Sequence, residues 1–250
     1  MNNYLIGKKI VVVGASGLLG TKIIEALLLQ GAEVVAADIN LENLEKKITN
    51  NQNLKLVQLD ILNQTAVRDF FTNNKGLTGA INTAYPRNKS YGAHFLDVTL
   101  DSFNENLSMN LGSAFLFTQQ CATYFKKHKK PFSLVNISSV YGVIAPDFSI
   151  YQNTSMTMPV EYAVIKSGLL HLNKYAVKYV NDSDFRVNSV SPGGIFDSQP
   201  EPFLKAYKDK TLGTGMLDPQ SIIGSILFLL SDQSKYLVGQ NLIIDDGFTL

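Results

Sequence analysis

A tyrosine and a lysine four residues apart can make a tunable acid, and Tyr162 and Lys166 are such a pair. On a helix the two side chains stand one turn apart on the same face. A fixed ammonium beside a phenol favours phenolate and draws the tyrosine down from its ordinary value of about 10. Such a phenol can pass a proton to or from a hydroxyl or carbonyl oxygen. The spacing alone does not select this pair, because Tyr4/Lys8 and Tyr85/Lys89 share it. Gly7 lies between Tyr4 and Lys8, and Pro86 makes residues 85–89 a poor helix interior. Only Tyr162/Lys166 sits in a long helical pattern, and it follows a segment ending Asn136-Ile137-Ser138-Ser139 whose hydroxyls belong at the same crevice.

The elements that must position this pair alternate along the chain. Strands are predicted at 9–13, 33–37, 54–59, 79–83, 133–137, 185–190 and 241–245. Helices are predicted at 21–30, 40–50, 65–72, 100–130, from Tyr162 to about 180, and 219–230. The continuous run Ile10-Val-Val-Val13 suits a strand buried on both faces. Regular alternation without a linker implies one doubly wound, Rossmann-type α/β domain over 1–250. Its sheet is mostly parallel, with about seven strands and helices on both faces. Ligands of such a fold bind beyond the carboxyl ends of the strands.

Between the first strand and first helix lies Gly14-Ala-Ser16-Gly17-Leu18-Leu19-Gly20. Glycines there permit a tight turn and close approach of a pyrophosphate, and the helix N-terminus offers free N–H groups to it. Asp38, at the end of the second strand, suits an adenosine ribose diol and repels a 2′-phosphate. No arginine or lysine accompanies it in sequence, which favours NAD(H) over NADP(H); a simple helix cap is the alternative.

Composition narrows the rest. A 45% hydrophobic, 17% charged chain of net charge +1 can build a good core. It gives no electrostatic ground for nucleic acid or an acidic membrane as a partner. The basic run 126–130 fits a solvated helix end. A single cysteine, Cys121, excludes an internal disulfide, suits a reducing compartment, and lies at helical spacing from Phe117 and Phe125 as a core residue does. His94, His128 and His171 have no ligand spacing, so no metal is expected. No secretion signal opens the chain, and the apolar run 226–230 is too short for a membrane span. A cytoplasmic protein acting on a small molecule is the expectation.

Taken together, these motifs resemble the short-chain dehydrogenase/reductase family from Lys8 to Gly247. The resemblance rests on the glycine turn, Asp60, Asn110 in Met109-Asn-Leu-Gly-Ser-Ala-Phe115, Ser139 and Tyr162/Lys166. It extends to Arg186-Val-Asn-Ser-Val-Ser-Pro-Gly193 and Val238-Gly-Gln-Asn-Leu-Ile-Ile-Asp245. It implies that Tyr162 exchanges a proton with the substrate oxygen, while Ser139 hydrogen-bonds that oxygen. Lys166 would bind the nicotinamide ribose and hold the Tyr162 pKa down. Asn110 would position a water relayed to Lys166. On the cofactor, Ser16, Gly17, Leu18 and Leu19 would meet the phosphates, and Asp60 with Ile61 the adenine. Asn82, Ala84, Pro192, Gly193 and Ile195 would line the ribose and nicotinamide. Ser138 as the functional hydroxyl, Asn110 as an ordinary buried residue and Ser16 as a helix cap remain alternatives. The family also implies a homo-oligomer, tetramer or dimer, through its two long central helices, with the apolar run near the C-terminus fitting a buried contact.

The chain departs from that family in three places. Its glycine spacing resembles the extended, sugar-nucleotide-modifying branch. Asn82-Thr-Ala-Tyr85 is followed by Pro86-Arg87-Asn88-Lys89, which brings an aromatic and two cations towards the crevice. Ser139 and Tyr162 are 23 residues apart, more than the family usually shows, so segment 140–161 must loop over the active-site mouth. That segment is polar and aromatic. With Arg87 and Lys89 it suggests a polyol, sugar or anionic sugar derivative held by Ser139, Tyr85, Arg87 and Tyr151. The insertion resembles bacterial surface-sugar and flagellin-modification oxidoreductases. Subunit packing by the loop, with merely solvated cations, is the alternative. An NAD-dependent secondary-alcohol oxidoreductase is the leading expectation. The competing readings are an epimerase or dehydratase with tightly held NAD, and a catalytically silent NAD-sensing module.

Overall fold

The β-branched run is strand β1 (Lys9–Val13), and it lies inside the sheet as its sequence requires. A computed structural model describes residues 3–250. The remaining strands are β2 (Glu33–Asp38), β3 (Leu54–Gln58), β4 (Gly79–Asn82), β5 (Phe132–Ile137), β6 (Phe185–Pro192) and β7 (Asn241–Ile244). All seven pair in parallel, in the order β3-β2-β1-β4-β5-β6-β7. The chain runs outward from β1 to β3 and returns to β4 on the other side of β1. The switch in strand order therefore falls between β1 and β4, where the fold leaves a crevice.

Helices α1 (Leu18–Leu29), α2 (Leu41–Lys47), α3 (Gln64–Asn73), α4 (Leu100–Leu107), α5 (Ser113–His128), α6 (Val160–Val180), α7 (Glu201–Lys208) and α8 (Ile223–Leu230) connect these strands. Alternate residues of β1 feed two cores. Ile10 and Val12 pack with Ile23 and Leu27 of α1 and Ile226 of α8, while Val11 and Val13 join Phe70 of α3 and Phe117 of α5. Cys121 is fully buried in the second core, and burial pushes its thiol well above the ordinary value. No helix among the described residues is long and apolar enough to cross a membrane.

Three elements differ from the sequence expectation. The helix expected over 100–130 is interrupted at Ser108–Gly112 by a turn of π-type, wider than an α-turn. There the Asn110 carbonyl accepts from the backbone N–H and, at 3.0 Å, the hydroxyl of Ser113, which competes with the regular ladder. Helix α7 was not anticipated; Pro200 before it and the i,i+4 pair Phe203/Tyr207 were its local signals. The apolar run near the C-terminus, expected to fit a subunit contact, contributes to the chain's own core: Ile226 and Leu229 are fully buried, with α8 packed on α1, while Leu227 and Phe228 stay half-buried.

Polar side chains fix α6 on the sheet. Asn136 Nδ2 on β5 donates to Asn173 Oδ1 at 2.7 Å, and Asn173 Nδ2 donates to Ser189 Oγ on β6 at 2.6 Å. All three residues are buried. Replacing Asn173 by Ala strands the Asn136 amide in the interior. Urea unfolding of Asn173→Ala is expected to show a loss of about 1–3 kcal/mol, the usual cost of a buried polar group left without a partner.

Candidate active site

The glycine turn is shaped by close backbone approach. Gly14 has φ +74, and a Cβ there would lie 2.7 Å from the Ala84 nitrogen in the segment after β4. At Gly20 a Cβ would come within 2.3 Å of the Gly14 carbonyl oxygen, so α1 packs directly on the turn. No side chain caps α1 at Gly17. Its first N–H groups therefore face outward without partners, which suits an anion such as a pyrophosphate. Ser16 does not cap the helix. Its N–H donates to Asp38 Oδ2 at 2.9 Å, and Asn40 N–H donates to Asp38 Oδ1 at 3.0 Å. Asn40, not Asp38, caps α2, accepting from Asn43 N–H.

A cavity of about 640 Å³ opens beside this turn, at the carboxyl ends of the strands. One wall is Gly17, Leu18, Leu19 and Gly20; another is Thr83, Ala84, Tyr85, Arg87 and Tyr91. Opposite them stand Ser138 and Ser139 from the end of β5, Tyr162 and Lys166 from α6, and Pro192, Gly193 and Ile195 from the end of β6. The long segment before α6 closes the mouth with Tyr151, Met156 and Met158, and α7 adds Phe203 and Tyr207.

The phenol and ammonium meet as the helical spacing requires, though not hydroxyl to amine. Lys166 is buried, with Nζ 2.8 Å from the Ile137 carbonyl oxygen and 5.4 Å from the centroid of the Tyr162 ring. Burial lowers Lys166 to about 8. Burial also pushes Tyr162 above its ordinary value, with the neighbouring Ser139 hydroxyl acting in the opposite direction. The sequence expectation had the lysine charge lowering the phenol; here desolvation dominates both groups. Ser138 Oγ is occupied by the Lys166 carbonyl at 3.0 Å, whereas Ser139 Oγ accepts from Tyr141 N–H and keeps its proton for another partner.

Other expected residues lie around the cavity, not in its wall. Asp38, Asp60, Ile61 and Asn82 stand at or just beyond the ends of β2, β3 and β4; Asn82 Oδ1 accepts from Ala84 N–H, and Asp60 Oδ1 from Leu62 N–H. Asn110 is buried in the widened turn against α6. Tyr85, Arg87 and Tyr151 do line the cavity, but Lys89 does not; Arg87 and Lys89 are both exposed. No cation pairs with Asp38 among the described residues, but folding brings one to the neighbouring turn. Lys47, in the last turn of α2, carries Nζ to 2.8 Å from the Ser16 carbonyl oxygen. The helix brings it back to the turn from 31 residues away, which sequence proximity to Asp38 could not show.

Sequence reasoning also missed Thr83, whose hydroxyl ties the Val13 and Gly14 carbonyls at 2.7 and 3.0 Å. It named Tyr151 but missed the aromatic group that Tyr151 joins: Tyr141, Phe203, Tyr207 and Phe248. Tyr151 donates to Tyr141 across 3.2 Å, Tyr207 stacks on Phe248 at 4.5 Å, and Tyr207 accepts from Gly194 N–H. Burial pushes Tyr151 up to about 12. The segment before α6 thus packs into this aromatic group, and the Asp147–Lys210 ion pair at 2.9 Å ties it on the outside.

The chain belongs to the short-chain dehydrogenase/reductase family: residues 14–249 match the family model described as enoyl-(acyl carrier protein) reductase. It is 35% identical to post-translational flagellin modification protein A of Campylobacter coli, over 97% of this chain and 98% of that protein. It is 25% identical to L-rhamnose-1-dehydrogenase of Scheffersomyces stipitis, over 99% and 98% of the two chains. The crystal structure of a short-chain dehydrogenase from Leptospira borgpetersenii with bound NAD+ superposes with a TM-score of 0.89. That match has 32% identity and covers 99% of this chain and 95% of the other. The chain is therefore an NAD-dependent oxidoreductase of this family.

Because Lys166 is lowered from 10.5 to about 8, the unfolded chain binds more protons than the folded one between those values. Stability should rise with pH across that window, and the burden of the buried ammonium is fully present below it. Unfolding measured from pH 8 upwards should lose this part of its slope in Lys166→Met; an unchanged slope would show the lysine to be solvated.

Proposed function

We propose that the protein interconverts a secondary alcohol and a ketone on a polar, sugar-like substrate, sugar acids included, with NAD(H) preferred over NADP(H). The observation that carries the reading is the convergence of Ser139, Tyr162 and Lys166 in one cavity with the uncapped N-terminus of α1. When bound, NAD(H) supplies or accepts the hydride. Tyr162 gives its proton to the substrate oxygen in reduction and takes it in oxidation. Ser139 donates to the same oxygen and shares the charge developing there. Lys166 binds the nicotinamide ribose hydroxyls from the same helix face as Tyr162, and the Ser139 hydroxyl is the group that draws the phenol back towards ionisation. Asn110, behind Lys166 in the turn packed on α6, holds the water that relays the proton onward.

At the other end, the N-terminus of α1 with Gly17, Leu18 and Leu19 takes the pyrophosphate. Asp38 accepts from the adenosine ribose, with Asp60 and Ile61 at the adenine. Asn82, Ala84, Pro192, Gly193 and Ile195 enclose the ribose and nicotinamide. Polarity of the segment before α6 and its aromatic floor favour a sugar ring, whose apolar face stacks on rings such as Tyr151 and Phe203. The likeness to a sugar dehydrogenase supports the same class. Homo-oligomerisation through α5 and α6 belongs to this reading; the exposed Phe115, Tyr175 and Tyr179 on those helices support it.

Tyr162→Phe should cut turnover by at least ~100-fold, the usual scale of a general acid–base group, while NADH affinity stays nearly unchanged. Absorbance at 340 nm with keto-sugars and sugar alcohols reads the first, NADH fluorescence the second; surviving turnover would sink the assignment. Asp38→Ser should raise NADPH affinity relative to NADH, and Lys47→Gln in that background should reverse the gain. Titration of both nucleotides into each variant decides it.

A further inference from the structure

The segment after β4 gathers hydrogen-bond donors at the wall of the cavity. The Tyr85 ring meets Tyr162 edge-on at 5.6 Å and Tyr91 edge-on at 5.7 Å. The Tyr85 and Tyr91 hydroxyls touch, so one of their two protons is shared and the other is free. Burial pushes both phenols well above their ordinary value, which keeps them protonated donors. The Arg87 guanidinium lies 5.5 Å from the Tyr85 ring and 6.0 Å from the Tyr91 ring, and it joins none of the ion pairs among the described residues. Lys166 Nζ is 5.4 Å from the other occupant of this space, the Tyr85 ring centroid. The one carboxylate lining the cavity, Asp197, belongs to the segment after β6.

This segment is braced. Asn88, next to Arg87, donates its N–H to Asn106 Oδ1 at 3.0 Å and accepts from Asn106 Nδ2 at 3.1 Å. Its own Nδ2 reaches Glu105 Oε2 at 2.6 Å. Asn106 Nδ2 also lies 3.3 Å from Glu161 Oε1. Asn106 is 1% exposed and Glu161 not at all, and Glu161 Oε2 has no partner. Glu161 immediately precedes Tyr162, so one buried polar chain links the donor segment to the helix of the acid–base tyrosine. Burying a carboxylate with an unpartnered oxygen is costly. Its placement ties the register of the donors to the reacting phenol.

We infer that Arg87, Tyr85 and Tyr91 form a carboxylate-binding subsite beside Tyr162, and that the substrate is a sugar acid whose carboxylate sits close to the reacting carbon. The inference rests on the oxidoreductase reading and adds the charge of the substrate. A carboxylate matches the planar fork of a single arginine, and phenol protons satisfy its remaining lone pairs. A phosphate dianion calls for more positive charge than Arg87 alone supplies, since Lys166 is engaged by the Ile137 carbonyl and Lys89 is outside the cavity.

The test uses full-length protein saturated with NADH and matched probes: galacturonate with galactose, glucuronate with glucose, and glucose 6-phosphate. Binding is read by NADH fluorescence and by thermal shift. The uronates should bind about 10–100-fold tighter than their neutral partners, the scale of hydrogen bonds to a charged group. Arg87→Gln should erase that preference and Arg87→Lys keep part of it, with NADH affinity unchanged in both. Uronates binding no tighter than neutral sugars, a preference for the phosphate, or a preference that survives Arg87→Gln would each overturn the subsite. Failure of the native protein to bind NADH would instead refute the cofactor reading, a separate result.

Discussion

Lys166 carries its ammonium into the interior to reach the carbonyl at the end of β5, and the site is organised around holding that charge. Desolvating a cation is costly, and a single backbone acceptor offsets only part of the cost. The surroundings accept this because they fix α6 against β5 at several points. Ser138 donates to the Lys166 carbonyl, and Gly142 leaves room where a Cβ would lie 2.8 Å from it. Below, the Asn136–Asn173–Ser189 chain holds the same helix to two strands. Ser139 is then left as the hydroxyl that faces Tyr162, because its neighbour is already spent.

The same constraint governs what surrounds the phenol. The segment after β4 faces α6 across the cavity. It is aromatic and cationic, and Tyr85 packs between Tyr162, Lys166 and Arg87. Half-buried phenols thereby line the crevice beside the exposed Arg87, and hydrogen bonds from the more buried of these donors to a charged group are strengthened. The segment before α6 adds to this wall, closing the mouth with Tyr151 and two methionines.

The corner around Asp38 and the glycine turn has a different logic. Asp38 accepts two backbone N–H groups, one from the glycine turn and one from the start of α2, so it shapes the turn. Lys47 binds the opposite side of Ser16. Ser16 is thus clasped between an acid and a base, and the balance of charge at that corner depends on a helix of only seven residues keeping its pitch.

Local pattern determined much of this protein without any coordinates. The β-branched run, the glycine turn and the i,i+4 pair are short-range features, and each specifies an element or a contact within about one helical turn. They were enough for the seven strands, most helices, and the pairing of Tyr162 with Lys166. Side-chain neighbours across the crevice were not legible. Lys47 returning to Ser16, Glu161 meeting Asn106, and Phe203 and Tyr207 joining the aromatic group all come from residues distant in sequence. The break at Asn110 was hidden too, because its amphipathic pattern runs straight through the widened turn. Whether burial or a neighbouring charge sets the Tyr162 phenol is equally a property of packing. Sequence determined which groups could do the chemistry; only the folded chain decided what solvent, charge and hydrogen-bond partners each one has.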